Sequence, residues 1–146
     1  MTKEIFTRSP EETEDFGASV GNEIRENPLL PRFIALYGDL GVGKTAFVRG
    51  LASVLAKDSI VRSPTFAIVN EYRGDGVSLF HFDMYRIEDE DELYSIGFYD
   101  YLDRGISVVE WSENIPYALP EHYIKIEISK ISPNEPDKRK ITCLVI

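Results

Sequence analysis

The sequence predicts an α/β fold of the P-loop NTPase-like kind, a three-layer sandwich with a parallel central sheet and added antiparallel strands. Three observations carry that prediction. The apolar run Arg32 to Tyr37 leads straight into a glycine-rich turn, Gly38 to Thr45, and an amphipathic helix follows at once. Two more apolar segments, Leu79 to Phe82 and Ile106 to Val109, each deliver an acid, Asp83 and Glu110, at their ends. Near the C-terminus, Ile124, Ile126 and Ile128 alternate with Lys125, Glu127 and Ser129, the pattern of a strand of antiparallel type buried on one face.

Length and composition bound the rest. At about 150 residues per domain, 146 residues make one domain, 1–146. Apolar residues at 43% and charged residues at 28% fit a globular chain and exclude disorder or a fibrous repeat. The formal net charge is −9, from 16 basic and 25 acidic residues, so the chain repels a phosphate backbone and direct binding of DNA or RNA is not expected. Cys143 is the single cysteine; it allows no intrachain disulfide and reads as a small core hydrophobe in a reducing compartment. No run approaches the roughly 18 apolar residues of a membrane span, and the N-terminus MTKEIFTRSP has no apolar signal core. A cytoplasmic protein with no membrane contact is expected.

Taken in order, Lys3 to Arg8 reads as a strand. Ser9 then caps a helix that carries Pro10 in its first turn, Glu12 completing a capping box, and Phe16, Val20 and Ile24 as its buried stripe. Asn27-Pro28 and Pro31 end it. The helix after the glycine turn shows Phe47, Leu51, Val54 and Leu55 on one face and fades near Lys57. Phe66 to Tyr72 and Val77 to Asp83 form a hairpin through Arg73-Gly74-Asp75-Gly76. The acidic run Glu88 to Glu92 opens one helical stretch through Leu93, Ile96, Phe98 and Leu102. Ile106 to Glu110 and Tyr123 to Ile131 are strands, and a turn over Ser132 to Lys140 returns the chain as Ile141 to Ile146.

Gly38 to Thr45 matches G-x-x-x-x-G-K-[ST] in the required context of strand before and helix after. The residue types follow from the task. Glycines let backbone N–H groups curl around phosphate oxygens, Lys44 reaches the β- and γ-phosphates from an exposed loop, and the Thr45 hydroxyl ligates Mg²⁺. Asp83 and Glu110, at the strand ends nearest that loop, are the carboxylates to hold the metal and orient water. Ser63-Pro64-Thr65 stands where P-loop hydrolases keep a switch threonine. His81, inside an apolar strand, reads as structural. Trp111 is either packing or a cover for the ligand.

Four segments in order, Gly38 to Thr45, Ser63-Pro64-Thr65-Phe66, His81-Phe82-Asp83-Met84-Tyr85-Arg86 and Val109-Glu110-Trp111, resemble the signatures of the TsaE (YjeE) family. Glu12-Thr13 and Gly17 also fit that family's first helix. These are small bacterial P-loop ATPases needed for threonylcarbamoyladenosine in tRNA. The resemblance implies ATP or ADP with Mg²⁺ as cofactors, bound through Asp39, Leu40, Gly41, Val42, Gly43, Lys44, Thr45 and Ala46, with Trp111 beside them. It implies Thr45, Asp83 and Glu110 around the metal, and Lys44, Thr65, Asp83 and Glu110 in catalysis. It also implies work alongside the TsaD–TsaB complex, with tRNA touched only indirectly and ATP turnover resetting or assembling the machine. Val42 and Ala46 depart from residues common in the family, and the C-terminal hairpin matches loosely, which leaves nucleotide contacts from Lys138 or Arg139 open.

Two other classes remain: a small-molecule P-loop kinase, and an ATP-dependent assembly module with negligible hydrolysis. Kinases of that type carry arginine-rich lids, whereas Tyr72 to Trp111 holds only Arg73, Arg86 and Arg104. A GTPase is disfavoured further by the lack of D-x-x-G and of N-K-x-D to read guanine. With no obvious arginine finger, slow turnover alone and faster turnover with partners is expected. The stretch Glu88 to Leu102, with Tyr94, Phe98, Tyr99 and Tyr101 among its carboxylates, offers a docking face for a cationic surface, or else Phe98 and Leu102 are core and the remainder is solvated.

Overall fold

The computed structural model describes residues 2–64 and 68–146. Thr65 and the beginning of the strand expected from Phe66 lie outside the described residues. Strand β1 (Lys3–Thr7) is followed by α1 (Pro10–Glu26), β2 (Phe33–Tyr37) and α2 (Lys44–Leu55). Then come β3 (Val69–Arg73), β4 (Ser78–Asp83), α3 (Glu90–Ser95), α4 (Phe98–Tyr101), β5 (Ile106–Glu110), β6 (Ile124–Lys130) and β7 (Arg139–Val145).

Among the described residues the strands form one seven-stranded sheet in the order β1-β7-β6-β2-β5-β4-β3. The centre, β6-β2-β5-β4, is parallel. Antiparallel β7 and β1 extend it on one side and β3 on the other. β2 is covered on both faces because its residues alternate between two cores. Ile34 and Leu36 join the α1/α2 side, and Phe33 and Ala35 join the side of α3 and α4. That alternation makes the three layers.

α1 begins as its caps require: the Ser9 hydroxyl accepts the Glu12 N–H at 3.1 Å, while the Glu12 carboxylate reaches one residue past the cap to Arg8 N–H. Helices α1 and α2 pack with their backbones almost touching. A Cβ at Gly17 would overlap the Phe47 carbonyl oxygen, and one at Gly50 would overlap that of Glu14. Around this seam Val20, Ile24, Phe47, Val48 and Leu51 are at most 1% exposed. A fully buried side chain of this size contributes about 1.5–3 kcal/mol.

The structure corrects several expectations. β6 is not simply antiparallel: it runs parallel to β2 and antiparallel to β7. Its alternation arises because Ile124, Ile126 and Ile128 meet the α1/α2 core, while Lys125 on the other face lies over the Tyr37 ring. The single helical stretch after Glu88 is two short helices, broken where Gly97 turns left-handed at φ 71°. Among the described residues β3 runs from Val69 to Arg73, next to Ile68, whose φ of 67° is foreign to a β-branched residue. The last strand starts at Arg139, two residues before the expected Ile141, because Arg139 pairs with Lys130 at the hairpin end. No helix among the described residues is long and apolar enough to cross a membrane.

Candidate functional site

Strands β2, β4 and β5 end side by side, with Asp83 opposite Glu110 in register and Leu36 opposite Glu110 on the other flank. The loop that leaves β2 returns as α2, so its glycines sit at the carboxyl edge of the sheet, where ligands of open α/β folds lodge. Gly38, Gly41 and Gly43 all have positive φ, at 147°, 76° and 114°. Gly41 faces open space, with no atom within 4 Å of where a Cβ would stand. Gly43 caps α2 without a side-chain hydrogen bond, and no acid occupies the first turn of that helix. Its first N–H groups are thus left for an external acceptor, and the helix dipole favours an anion there.

A cavity of about 460 Å³ opens over this edge, and Gly41, Lys44, Thr45, Asp83, Glu110 and Trp111 all line it. Leu40, Gly43, Ser63, Tyr85 and Arg86 complete its wall. Val42 and Asp39 instead line a second hollow of about 400 Å³ on the other side of the loop, with Glu113 and Glu127, and Leu40 borders both. Ala46 is buried in α2 and lines neither. A larger hollow at the opposite end of the sheet, between Arg32 and Gly105, shares no residue with the glycine loop.

Lys44 is not the exposed loop residue that the sequence suggests. It is the first residue of α2 and only 5% exposed, with Nζ donating to the Gly38 carbonyl at 2.5 Å and lying 4.1 Å from the centre of the Trp111 ring. Burial lowers its pKa, against the opposing pull of Glu110, Glu113, Asp83 and Asp39. Trp111 holds a left-handed backbone, φ 59° and ψ 41°, and also meets Tyr85 at 5.0 Å. A non-glycine residue in that region costs on the order of 1–3 kcal/mol and persists only where its surroundings enforce it.

Asp83 accepts the Tyr85 N–H at 2.9 Å, yet burial, with Glu110 beside it, raises its pKa overall. Glu110 is 4% exposed and accepts from His81 Nε2 at 2.5 Å. Two carboxylates, the Thr45 hydroxyl and an ammonium therefore converge on one space. All the metal-capable donors are oxygens, the hard set that Mg²⁺ takes, usually as one or two carboxylates completed by phosphate and water. Among the described residues no group of three His, Cys, Asp or Glu stands ready to hold a metal by itself. The donor set fits a metal that arrives with its phosphate.

Sequence reasoning passed over Arg86, left Arg139 open and read His81 as structural. Arg86 brings a second cation to the cavity wall. Arg139 donates through Nε to the Val42 carbonyl at 2.8 Å, bracing the glycine loop from β7, whereas Lys138 pairs with Glu135. His81 is wholly buried against Glu110. Arg86 stood in a motif and could have been weighed; the Arg139 contact spans 97 positions and left no local signal.

Comparison with known proteins places the whole fold among relatives. The chain is 37% identical over 137 residues to the tRNA threonylcarbamoyladenosine biosynthesis protein TsaE of Bacillus subtilis (strain 168), covering 93% of this chain and 81% of the relative. It is 37% identical over 131 residues to the protein of the same name from Nostoc sp. (strain PCC 7120), covering 86% and 76%. The crystal structure of Bacillus subtilis YdiB superposes with a TM-score of 0.73 at 29% identity, over all of this chain and 88% of that one. Since the profile of the threonylcarbamoyl adenosine biosynthesis protein TsaE also matches residues 7–141, the chain belongs to the TsaE family.

Proposed function

We propose that this protein binds ATP with Mg²⁺ and hydrolyses it to ADP and phosphate, in the service of threonylcarbamoyladenosine formation on tRNA. One observation carries the reading: Leu40, Gly41 and Gly43 of the glycine loop, with Lys44, Thr45, Asp83 and Glu110, line a single cavity at the carboxyl edge of the sheet. The loop's positive-φ glycines and the uncapped start of α2 receive phosphate oxygens. Lys44, now bonded to the Gly38 carbonyl, would turn its ammonium to the β- and γ-phosphates. Thr45 and Asp83 would hold the metal, and Glu110 would accept a proton from, or orient, the attacking water. Bound Mg²⁺ would neutralise charge on the phosphates. That neutralisation matters here, because Asp39, Asp83, Glu110 and Glu113 surround one lysine and would repel a bare nucleotide.

The likeness to TsaE proteins supports a place beside the TsaD–TsaB pair, which transfers the threonylcarbamoyl group, with this chain driving assembly or resetting through ATP turnover. Phosphate release is measured with ATP alone, with small-molecule acceptors, and with TsaD–TsaB. We expect slow release alone and faster release with the pair, both abolished in Lys44→Ala. A folded Lys44→Ala protein with full activity would sink the reading, phosphoryl transfer to an acceptor would make the chain a kinase, and binding without release would make it an assembly module.

A further inference from the structure

We propose that Tyr72 and His81 are positioning residues that tie the Glu110 carboxylate to the backbone at Arg62, just ahead of the Ser63-Pro64 segment. The inference rests on the reading above that Glu110 serves hydrolysis. The three side chains step diagonally across three strands. Tyr72 lies opposite Leu79 and His81 is two residues on; His81 lies opposite Val108 and Glu110 is again two residues on. Spacing by two keeps all three on one face of the sheet.

The hydrogen bonds are continuous. Arg62 N–H donates to the Tyr72 hydroxyl at 3.2 Å, that hydroxyl lies 3.1 Å from His81 Nδ1, and His81 Nε2 meets Glu110 Oε2. With a proton on Nε2 for the carboxylate, His81 takes part at both ring nitrogens, and whether Nδ1 accepts from the phenol or donates to it follows from the ring's protonation. The Arg62 carbonyl, 3.0 Å from the same hydroxyl, is a competing acceptor for its single proton. A shift of the chain at Arg62 therefore changes what Tyr72 offers to His81, and through it the orientation of Glu110. Tyr72 is 6% exposed and His81 not at all, so the chain of polar groups runs inside the fold. Packing alone would be met by Phe and Leu at these positions; the chain of polar groups is what needs a role.

The test uses the full-length protein. Tyr72→Phe removes one oxygen and keeps the ring, so it should fold. We expect it to lower kcat by about 3- to 10-fold with the KM for ATP and the nucleotide-dependent Trp111 fluorescence unchanged. His81→Gln, whose amide nitrogen overlies Nε2, should retain more kcat than His81→Asn. In ¹⁵N-labelled protein, Glu110→Gln should move the Arg62 amide resonance, and should fail to move it when Tyr72→Phe is also present. An unchanged kcat in Tyr72→Phe, or an Arg62 resonance indifferent to Glu110→Gln, overturns the relay. If the wild type releases no phosphate under any condition, the hydrolytic reading fails on its own, and the resonance measurement still decides whether Arg62 and Glu110 are linked.

Discussion

Asp83 carries a charge that the folded chain does not favour, since burial, with Glu110 alongside, raises its pKa above the ordinary 3.8. The sign follows: any stability that the protonated carboxyl contributes is present below 3.8 and lost as pH rises through the folded value. At neutral pH the ionised Asp83 is a cost that a bound cation would offset. Asp83→Asn keeps an oxygen to accept the Tyr85 N–H, so it should raise the melting temperature of the ligand-free protein, by roughly 2–4 °C per kcal/mol relieved. It should also weaken Mg²⁺-dependent nucleotide binding by about tenfold or more. Calorimetric melts with and without Mg²⁺ and nucleotide check both, and a lower ligand-free melting temperature contradicts the account. Cys143 follows the same sign. Burial pushes its thiol from 9.0 up to about 11, so stability should fall as pH climbs from 9.0 towards about 11, where only the unfolded thiol ionises. At pH 8 a disulfide reagent should label it only as fast as the protein opens.

The α1/α2 seam is the element most exposed to single-atom change. Gly50→Ala would gain about 1 kcal/mol of helix propensity. It would also drive a Cβ into the Glu14 carbonyl, a backbone atom that no rotamer change can move aside. Overpacking of that kind costs about 1–3 kcal/mol or more and should win, seen as a lower midpoint in urea with an unchanged slope. An unaltered midpoint would mean that the helices separate freely. The same elements show why the sequence was legible where it was. The β2, glycine loop and α2 unit is contiguous, and every signal in it is local: an apolar run, positive-φ glycines and a helical stripe. Asp83 and Glu110 were legible because each ends an apolar run. What escaped depends on distant partners. The parallel pairing of β6 with β2 is set by which strand lies beside it, not by the alternation of Ile124, Ile126 and Ile128. The burial of Lys44 is set by Trp111 arriving from the end of β5.

At the scale of the whole molecule, the net charge of −9 and Arg86 as the one arginine among the described residues lining the cavity motivate the expectation that cationic partners complete the site. The acidic stretch at α3 and α4 divides as its two readings allow. Leu93 and Phe98 are fully buried, and Tyr101 packs on Phe80 and Phe82, so that half is core. On the outside, Tyr94 is 65% and Tyr117 47% exposed, Tyr94 packs at a tilt against Tyr99 with ring centres 5.1 Å apart, and carboxylates from Glu88 to Glu92 run alongside. Exposed aromatics ringed by acids suit docking to a basic surface, and charge there should act mainly on the association rate. Not every acid is a clean probe. Glu90 accepts the Tyr99 hydroxyl at 2.6 Å and Asp89 caps α3 through the Glu92 N–H, so their reversal would disturb the fold. Glu88 and Asp91 are exposed and carry no such side-chain bond. Reversing both to lysine should slow association with TsaD–TsaB by about tenfold at low salt, with the difference shrinking as ionic strength rises and with basal phosphate release unchanged. Stopped-flow association across a salt series checks this; equal rates for wild type and the double reversal at low salt would place the docking face elsewhere on the molecule.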